Sequence, residues 1–493
     1  MDLEEVEIDK ADNLSGEVIT PAGRGATPTL REKVLRGGAF LAFRQAIGVV
    51  LGVAGVLLVT RVIGPGAYGR YSTAMGPVVF LSFLGTWGVD VYLLRKAEMP
   101  TRQEFNQAFT LLLCISGLFY GGVVLCSHLI AASVRMPVLS QVLPFLALAI
   151  PFNLLGLPAI VKLDRDLDFR QVAINELISQ ASMYVVGVPM AFAGAGVWAP
   201  ACGFVTQQFV LMALSYRSAR YMPSLCWDRD VVRSMLKYGL AYSSSTWIWQ
   251  LRGLVNPFIV GRFVGAEAVG YIAVSIRFVE VLSFAKQATW RIAMAALTRI
   301  HDDSARLRAS VTEGMKLQAI AVGFPLALFA LIGPFLISLG LGHNWGPALI
   351  VYPFIAVSYL FNAMFNLHSS ILYLKERNLE VTMVHIVHMI LFAGSAVLLV
   401  PRFGLIGYGW AELTTLLSYS VLHYYFVRQV AAPSYSAAAV WFAAMCSVLV
   451  LSCLKAPFMY LGFLMLLLPW VITKERNSLM GYAKVVFPWM ARA

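Results

Sequence analysis

Residues 105–134 read FNQAFTLLLCISGLFYGGVVLCSHLIAASV, a run of thirty positions that contains no Asp, Glu, Lys or Arg. A helix needs roughly 20 mainly apolar residues to cross a hydrocarbon core of about 30 Å, so this run is long enough to span a bilayer. Its apolar positions are continuous and do not alternate with polar ones, which favours a helix over a strand of a membrane barrel. The run therefore predicts a transmembrane helix.

Similar apolar runs lie on both sides of it, separated by short charged or Gly- and Pro-containing loops. We predict about fourteen spans, at residues 34–60, 73–94, 105–134, 138–161, 171–193, 197–216, 239–263, 268–290, 318–341, 348–374, 379–400, 405–427, 436–454 and 457–473. The composition agrees, because 13% of residues are charged and 59% are apolar, whereas soluble domains are about 25% charged. The sequence predicts an all-α polytopic membrane protein without a sizeable soluble domain.

Basic residues are distributed unequally between the two sets of loops. If the N-terminus is cytoplasmic, the loops on that side carry 29 of the 38 Lys and Arg residues and the opposite loops carry six. The six are Arg61, Arg70, Arg135, Arg262, Arg402 and Lys455. Loops rich in Lys and Arg stay in the cytoplasm, so both termini are predicted to face it.

The net charge of +12 therefore reflects membrane orientation, and we expect no nucleic acid partner. Basic loops such as Arg217 to Lys237 and Lys286 to Lys316 are expected to attract anionic lipid headgroups. The six cysteines are scattered without a CxxC pair, so packing is their expected role, and we expect no disulfide framework or zinc site. No cofactor is expected.

One short motif occurs twice. Residues 61–69 read RVIGPGAYG at the end of the first span, and residues 262–270 read RFVGAEAVG at the end of the seventh. Both have the spacing R-x-x-G-x4-G, 201 residues apart, and a weaker echo pairs GAG at 194–196 with GYG at 407–409. Two repeats with an even number of helices would be related by an axis along the membrane normal. Chance similarity of Gly-rich turns is the alternative.

These observations together predict the organisation of the chain. The predicted parts are a disordered cytoplasmic tail (1–33), an N-terminal six-helix lobe (34–216), a cytoplasmic linker (217–238), a C-terminal six-helix lobe (239–428), an extra helix pair (436–473) and a cytoplasmic tail (474–493). The first 29 residues contain seven acids and no long apolar run, which is typical of a disordered tail and not of a signal peptide.

Four segments carry a resemblance to a known family. They are TRVIGPGAYGRYSTA (60–74), FLGTWGVDVYLLRK (83–96), LDRDLDFRQVAINELIS (163–179) and LKYGLAYSSSTWIWQLRGLVNPFIVGRFVGAEAVGYIAVSIRFVEV (236–281). In this order they resemble the bacterial polysaccharide transporters, or oligosaccharide-lipid flippases, of the multidrug/oligosaccharide-lipid/polysaccharide exporter superfamily. Within that family the chain is most similar to exopolysaccharide exporters of the succinoglycan type.

The resemblance implies two lobes around a central cavity that opens alternately to each side of the bacterial inner membrane. It implies an undecaprenyl-diphosphate-linked oligosaccharide as substrate, moved from the cytoplasmic to the periplasmic leaflet for exopolysaccharide, O-antigen or capsule biosynthesis. Polymerases and export machinery are the protein partners that it implies. A flippase of this kind is a transporter and not an enzyme.

Three arginines lie inside predicted spans: Arg44, Arg252 and Arg277. Each costs roughly 2.5–3.5 kcal/mol at a helix centre on insertion scales, so each should face a cavity or a partner. A diphosphate entering a low-dielectric cavity needs fixed positive charge, and a guanidinium can donate two parallel bonds to one oxyanion group. We therefore predict that the three arginines bind substrate. The alternative is an internal ion pair, most directly between Arg277 and Glu280, which lie i, i+3 on one helix.

Polar and aromatic residues precede Arg252 in the seventh span. Trp247, Trp249 and Gln250 are predicted to contact sugar by stacking and hydrogen bonding. The alternative is close helix packing with the tryptophans facing lipid, and it explains the small residues Ser243 to Thr246 better.

Intramembrane carboxylates are the candidates for ion coupling. Glu176, Glu280 and Glu412, with Asp90 near a span end, could carry a proton or sodium ion, or pair with the arginines. His385 and His388 have a spacing that suits two metal ligands, but a polar helix face is the favoured interpretation.

Two other functions compete with the flippase. A polysaccharide polymerase or glycosyltransferase would need a catalytic platform in a large outer loop, and all predicted outer loops are short. A drug or cation antiporter of the same superfamily would favour acids in its cavity, whereas this chain places arginines in its spans.

Overall fold

The computed structural model describes residues 30–96, 98–286, 297, 303–454, 458–472 and 476–477. Side chains are described for these residues except 30–44, 46, 240–242, 244–245 and 468–470. The predicted tails at 1–33 and 474–493 lie largely outside these residues, and so does the side chain of Arg44. Within the described part of the chain all regular structure is helical, so the predicted all-α architecture is confirmed.

The described residues of the first half form seven helices before the central loop. They are α1 (Leu30–Gly85), α2 (Val89–Arg95), α3 (Arg102–Ser133), α4 (Leu139–Leu146), α5 (Ala149–Arg165), α6 (Phe169–Phe192) and α7 (Trp198–Ala219). Asp168 caps the start of α6 by accepting a hydrogen bond from the backbone N–H of Gln171, and Thr101 with Glu104 forms a capping box at the start of α3.

The second half begins with α8 (Arg229–Gln250), which continues through a 3-10 turn (Leu251–Leu254) and a π-helical turn (Asn256–Val260) into α9 (Gly261–Phe263). The remaining α-helices are α10 (Ala266–Leu282), α11 (Ser304–Gly340), α12 (Ala348–Met364), α13 (Asn366–Leu374), α14 (Asn378–Thr414), α15 (Ser418–Val427), α16 (Ser436–Leu451) and α17 (Leu461–Val471). Short 3-10 turns lie at His343–Trp345, Thr415–Leu417 and Phe458–Tyr460.

Each of the fourteen predicted spans overlaps one or more of these helices. Among the described residues, six helical segments are long and apolar enough to cross a membrane by themselves: Ile47–Gly85, Arg102–Ser133, Leu139–Arg165, Ser304–Gly340, Ala348–Leu374 and Asn378–Val427. The number of fourteen spans stays a prediction. Two of the long segments contain a glycine outside helical geometry, Gly64 in α1 and Gly404 in α14, so each joins two helices that the sequence predicts separately.

The apolar side chains form two clusters. One extends from Tyr71 to Met235 and the other from Val255 to Leu466. Trp441 and Met445 of α16 are buried in the second cluster, so the predicted extra helix pair packs as part of it. The lobe boundaries stay a prediction.

The two copies of the repeated motif meet between these clusters. A Cβ atom on Gly69 would collide with the carbonyl oxygen of Ala266, and one on Gly270 would collide with that of Pro65. Only glycine allows the two backbones to approach this closely. The motif therefore brings α1 and α10 into backbone contact at the side that the charge bias places outside the cytoplasm.

Candidate functional site

Arg277 of α10 lines two cavities. One has a volume of about 320 Å³, and its polar lining is Gln45, Gln180, Arg277, Glu280 and Tyr359. The other has a volume of about 370 Å³ and shares Arg277 and Gln180 with the first. Its further polar lining residues are Tyr68, Tyr71, Ser72, Tyr184 and Gln207. The structure therefore places a guanidinium, three carboxamides and several hydroxyls around two cavities that share Arg277 and Gln180.

Glycines of α1 make room for these side chains. Gln180 donates from Nε2 to the carbonyl oxygen of Gly48 at 2.7 Å, and the Tyr184 hydroxyl donates to that of Gly52 at 3.2 Å. A Cβ atom on Gly52 would lie 3.1 Å from an Nη atom of Arg277. The Gly48-x3-Gly52 spacing thus packs α1 against α6 and also leaves space for the arginine.

The predicted pair between Arg277 and Glu280 is present but loose. Nη1 of Arg277 lies 3.6 Å from Oε2 of Glu280, and the two side chains are 42% and 46% exposed. An ion pair with this exposure is weak, because water screens both charges. Arg277 therefore keeps donors that face the cavity.

Lys286 is a basic residue of this region that sequence reasoning assigned to a cytoplasmic loop. Its Nζ donates to Oδ1 of Asn362 and lies 4.5 Å from the ring centre of Tyr359, which also lines the cavity of Arg277. Lys286 falls within the predicted eighth span at 268–290, and this position was the signal that could have identified it. The cation–π contact holds the ammonium beside the aromatic ring.

Arg252 lies in the 3-10 turn after α8 and pairs with a carboxylate from another helix. Its Nη2 donates to both carboxylate oxygens of Glu412 on α14, and the Tyr408 hydroxyl donates to Oε1 of Glu412 at 2.9 Å. Glu412 is fully buried, whereas the Arg252 side chain is 25% exposed. A buried carboxylate is stabilised only if its oxygens are paired and hydrogen-bonded, and here they are.

His388 extends this cluster. Nη1 of Arg252 lies 2.9 Å from Nε2 of His388, and Nδ1 of the same ring lies 3.1 Å from the Ser418 hydroxyl. Because a guanidinium only donates, Nε2 accepts, and Nδ1 carries the ring proton that it donates to Ser418. The rings of His385 and His388 each lie 5.2 Å from Trp249. The two histidines thus contribute to a polar and aromatic helix face, the interpretation favoured from sequence.

Trp247 faces a third cavity instead of the one around Arg277. This cavity has a volume of about 480 Å³ and is lined by Asp90, Asn153, Gln208, Ser243 and Trp247 among others. The indole N–H of Trp247 donates to the carbonyl oxygen of Phe83 at 3.3 Å. Oδ1 of Asp90 is buried and has no hydrogen-bond partner.

The predicted site residues therefore fall into separate groups. Arg277 and Glu280 share one cavity, Arg252 and Glu412 form one ion pair beside Trp249, and Trp247 lines another cavity. Gln250 and Glu176 are half-buried, and neither is among the residues that line these three cavities. Substrate binding by any of these residues stays a prediction.

Comparison with known proteins adds independent information. A family model described as "polysaccharide biosynthesis protein" matches residues 58–350. The succinoglycan biosynthesis transport protein ExoT of Rhizobium meliloti (strain 1021) is 24% identical over 311 residues, which cover 62% of this chain and 61% of that protein. The alignment thus spans less than two thirds of the relative.

Solved structures of transporters have a similar fold. The lipid II flippase MurJ in an inward closed conformation matches with a TM-score of 0.69 at 11% identity, covering 91% of this chain and 99% of MurJ. An inward-facing multidrug transporter of the MATE family matches with a TM-score of 0.58 at 13% identity, covering 80% of this chain and 98% of that one. At these identities the likeness shows the fold alone, and it confirms the predicted transporter architecture.

Proposed function

Because the chain belongs to the polysaccharide biosynthesis protein family, whose model matches residues 58–350, we propose that it is a flippase for lipid-linked oligosaccharides. The substrate is an undecaprenyl-diphosphate-linked repeat unit, and it moves from the cytoplasmic to the periplasmic leaflet of a bacterial inner membrane. The protein performs no covalent step. The likeness to a succinoglycan transport protein and the MurJ fold support this proposal.

The position of Arg277 is the observation that carries the proposal. Moving a diphosphate from water into a low-dielectric cavity is costly unless fixed donors replace its hydration. Arg277 supplies such donors at the junction of two cavities, and its screened pair with Glu280 allows a phosphate to compete for it. Gln180 and the tyrosines along the second cavity supply neutral hydrogen bonds for sugar.

The other cations take different parts in this scheme. Lys286, held by Asn362 and Tyr359, lies near the cavity of Arg277 and attracts the anionic headgroup toward it. Arg252 already has two strong acceptors on Glu412, so we assign it mainly to the connection between the 3-10 turn and α14. Arg44 stays a predicted contributor from α1.

The membrane potential can drive export in the proposed direction. A headgroup with about two negative charges that moves outward across an inside-negative potential gains roughly 4–5 kcal/mol per 100 mV if it crosses the whole field. No coupling ion is required for this drive.

The test is flipping of the lipid-linked oligosaccharide in vesicles that contain the purified full chain and an imposed potential. We expect Arg277→Ala to lower the rate at least about 100-fold and Arg277→Lys to restore part of it, because lysine keeps the charge but loses the planar fork. Glu280→Gln serves as the matched control on the same helix, and its rate should remain within about tenfold of the wild type.

Full activity of Arg277→Ala would remove Arg277 from the site. A flipping rate that does not respond to the potential would show that the potential does not drive export, and it would not affect the assignment of Arg277 to the binding site. If the wild type moved no lipid-linked oligosaccharide, while cells without the protein also failed to assemble repeat units, the enzyme alternative would replace the flippase.

One observation favours the antiporter alternative. Asp90 presents a buried oxygen without a hydrogen-bond partner at a cavity of about 480 Å³, as a cation site would. Transport of an organic cation that is lost in Asp90→Asn but kept in Arg277→Ala would support the antiporter. The opposite pattern supports the flippase.

A further inference from the structure

Three of the six basic residues in the predicted outer loops line one cavity. Arg70, Arg135 and Arg262 line a volume of about 610 Å³ beside the Gly64 kink of α1 and the outer ends of α3 and α9. Arg70 and Arg135 come from the first half of the chain and Arg262 from the second. The cavity therefore lies at the seam between the halves, beside the contact of Gly69 with the Ala266 carbonyl.

The charge of this cavity is not balanced by the protein. Its lining contains no Asp or Glu, and within the described residues no ion pair joins any of the three arginines to an acid. Glu267 lies against Gly66 and is not among the residues that line the cavity. Three cations that converge without a carboxylate repel one another unless an anion lies between them.

Backbone groups add to the attraction for an anion. Gly265 and Ala266 line the cavity at the start of α10, a helix of 17 residues whose N-terminal N–H groups carry partial positive charge. Arg262 directs one nitrogen away, because its Nη1 donates to the carbonyl oxygen of Ser133 at 2.6 Å, and the rest of its guanidinium remains at the cavity.

We propose that this cavity binds the phosphate of a lipid headgroup in the outer leaflet. All three arginines belong to predicted outer loops, where headgroups are found, and guanidinium groups bind phosphate oxygens in pairs. Two lipids carry this chemistry: an anionic phospholipid of the bilayer, or the exported diphosphate lipid after it leaves the central cavity. The second source rests on the proposed function, and the first does not.

A phosphate bound in this cavity affects the contact between the two halves of the chain. A phosphate between Arg70 and Arg262 attracts both halves of the chain and so stabilises the close approach of α1 and α10. An empty cavity leaves like charges opposed across the same seam. The headgroup therefore favours the closed outer end.

The experiment measures lipid retention by the purified full chain with native mass spectrometry. Vesicles contain phosphatidylcholine and phosphatidylglycerol in equal parts, and the variants are Arg70→Gln, Arg135→Gln and the double variant. We expect phosphatidylglycerol retention to fall about fivefold for each single variant and to fall further in the double variant. Arg402→Gln, an exposed outer arginine outside the cavity, is the control and should retain lipid as the wild type does.

A second arm distinguishes the two sources. Undecaprenyl diphosphate is added to vesicles of phosphatidylcholine alone. All variants in this arm also carry Arg277→Ala, which removes the proposed binding at the cavities of Arg277. If the Arg70 and Arg135 variants lose phosphatidylglycerol, the cavity binds the bilayer lipid. If they lose undecaprenyl diphosphate, the cavity binds the exported lipid. Retention of both lipids at the level of the Arg402→Gln control would overturn the site. The phosphatidylglycerol arm involves no transport, so its result stands even if the proposed function fails.

Discussion

The two copies of the R-x-x-G-x4-G motif have nearly the same geometry at the outer end of the protein. Gly64 has φ 73° and ψ 172°, and Gly265 has φ 103° and ψ 178°, conformations that glycine adopts readily. Arg61 donates to the carbonyl of Leu339 at 2.9 Å, and Arg262 to that of Ser133 at 2.6 Å. Each arginine thus binds the end of a long helix in the opposite half of the chain.

The helices that lead into the two motifs differ inside the membrane. In the first half, the helix before Gly64 is continuous, and its glycines receive Gln180, Tyr184 and Arg277. In the second half, α8 is followed by 3-10 and π-helical turns, and Arg252 pairs there with Glu412. Position 51, which lies 201 residues before Arg252, is leucine. The two repeats therefore share a backbone geometry at the outer end, but the helices that lead into them contain different polar residues in the membrane interior.

The largest expected effect concerns the Arg252–Glu412 pair, which the first half of the chain lacks at the equivalent position 51. Arg252→Leu makes the second half resemble the first and leaves Glu412 buried without its cation, so we expect a loss of about 3–5 kcal/mol of stability. Adding Glu412→Leu should recover most of that loss, because both charges are then removed. Thermal unfolding in detergent measures both variants.

Arg277→Leu is the control for this comparison. It breaks a partly exposed pair, and we expect a cost below about 1 kcal/mol. Equal destabilisation by Arg252→Leu and Arg277→Leu would show that burial does not separate the two pairs. A double variant no more stable than Arg252→Leu alone would show that the arginine acts through contacts other than Glu412.

Much of the fold could be predicted from sequence because the bilayer imposes one solution on a long apolar segment. In hydrocarbon the backbone must satisfy its own hydrogen bonds, and helices do so locally. The backbone contact that the repeated motif forms between α1 and α10 was not predicted from the sequence. The 3-10 and π-helical turns at 251–260 were not predicted, because they depend on how the Arg252 region packs against α14.

The candidate site was predictable by residue type and less so by pairing. The Arg277–Glu280 pair follows from an i, i+3 spacing on one helix, which sequence shows directly. Glu412 lies 160 residues from Arg252, and such a pairing depends on the rotation of two helices that a single sequence does not reveal. The same reason separates Trp247 from Arg277. The position of Lys286 inside the predicted eighth span, in contrast, is visible in the sequence, and the structure places its ammonium beside Tyr359 and Asn362.

The second prediction tests whether the two motifs are equivalent where their backbones meet. Gly69→Val and Gly270→Val each insert a side chain against a backbone carbonyl, and overpacking of this kind costs about 1–3 kcal/mol. We expect each variant to shift the outer end toward the open state by about fivefold or more.

Spin labels on cysteines at Ala132 and Phe335, in a background without the six native cysteines, report the distance between the outer ends of α3 and α11. Gly122→Val is the control, since nothing lies within 4 Å of a Cβ atom at that position. If only one of the two glycine variants lengthened the distance, the motifs would not form one symmetric closure.

The smallest expected effect concerns the two arginines that bind helix ends. Arg61→Gln and Arg262→Gln each remove a charged donor from a carbonyl at an exposed position, so we expect each to shift the same distance distribution toward the open state by about fivefold or less. In phosphatidylcholine vesicles the two variants should respond equally, because both lose the same kind of hydrogen bond. With phosphatidylglycerol present, Arg262→Gln should shift the distance distribution more than Arg61→Gln, because only Arg262 also lines the cavity that it shares with Arg70 and Arg135. A difference that persists without anionic lipid would show that the two motifs are unequal in themselves. If the two variants shifted the distance distribution equally in both kinds of vesicle, the two motifs would contribute equally to closure of the outer end, and lipid binding would not affect that closure.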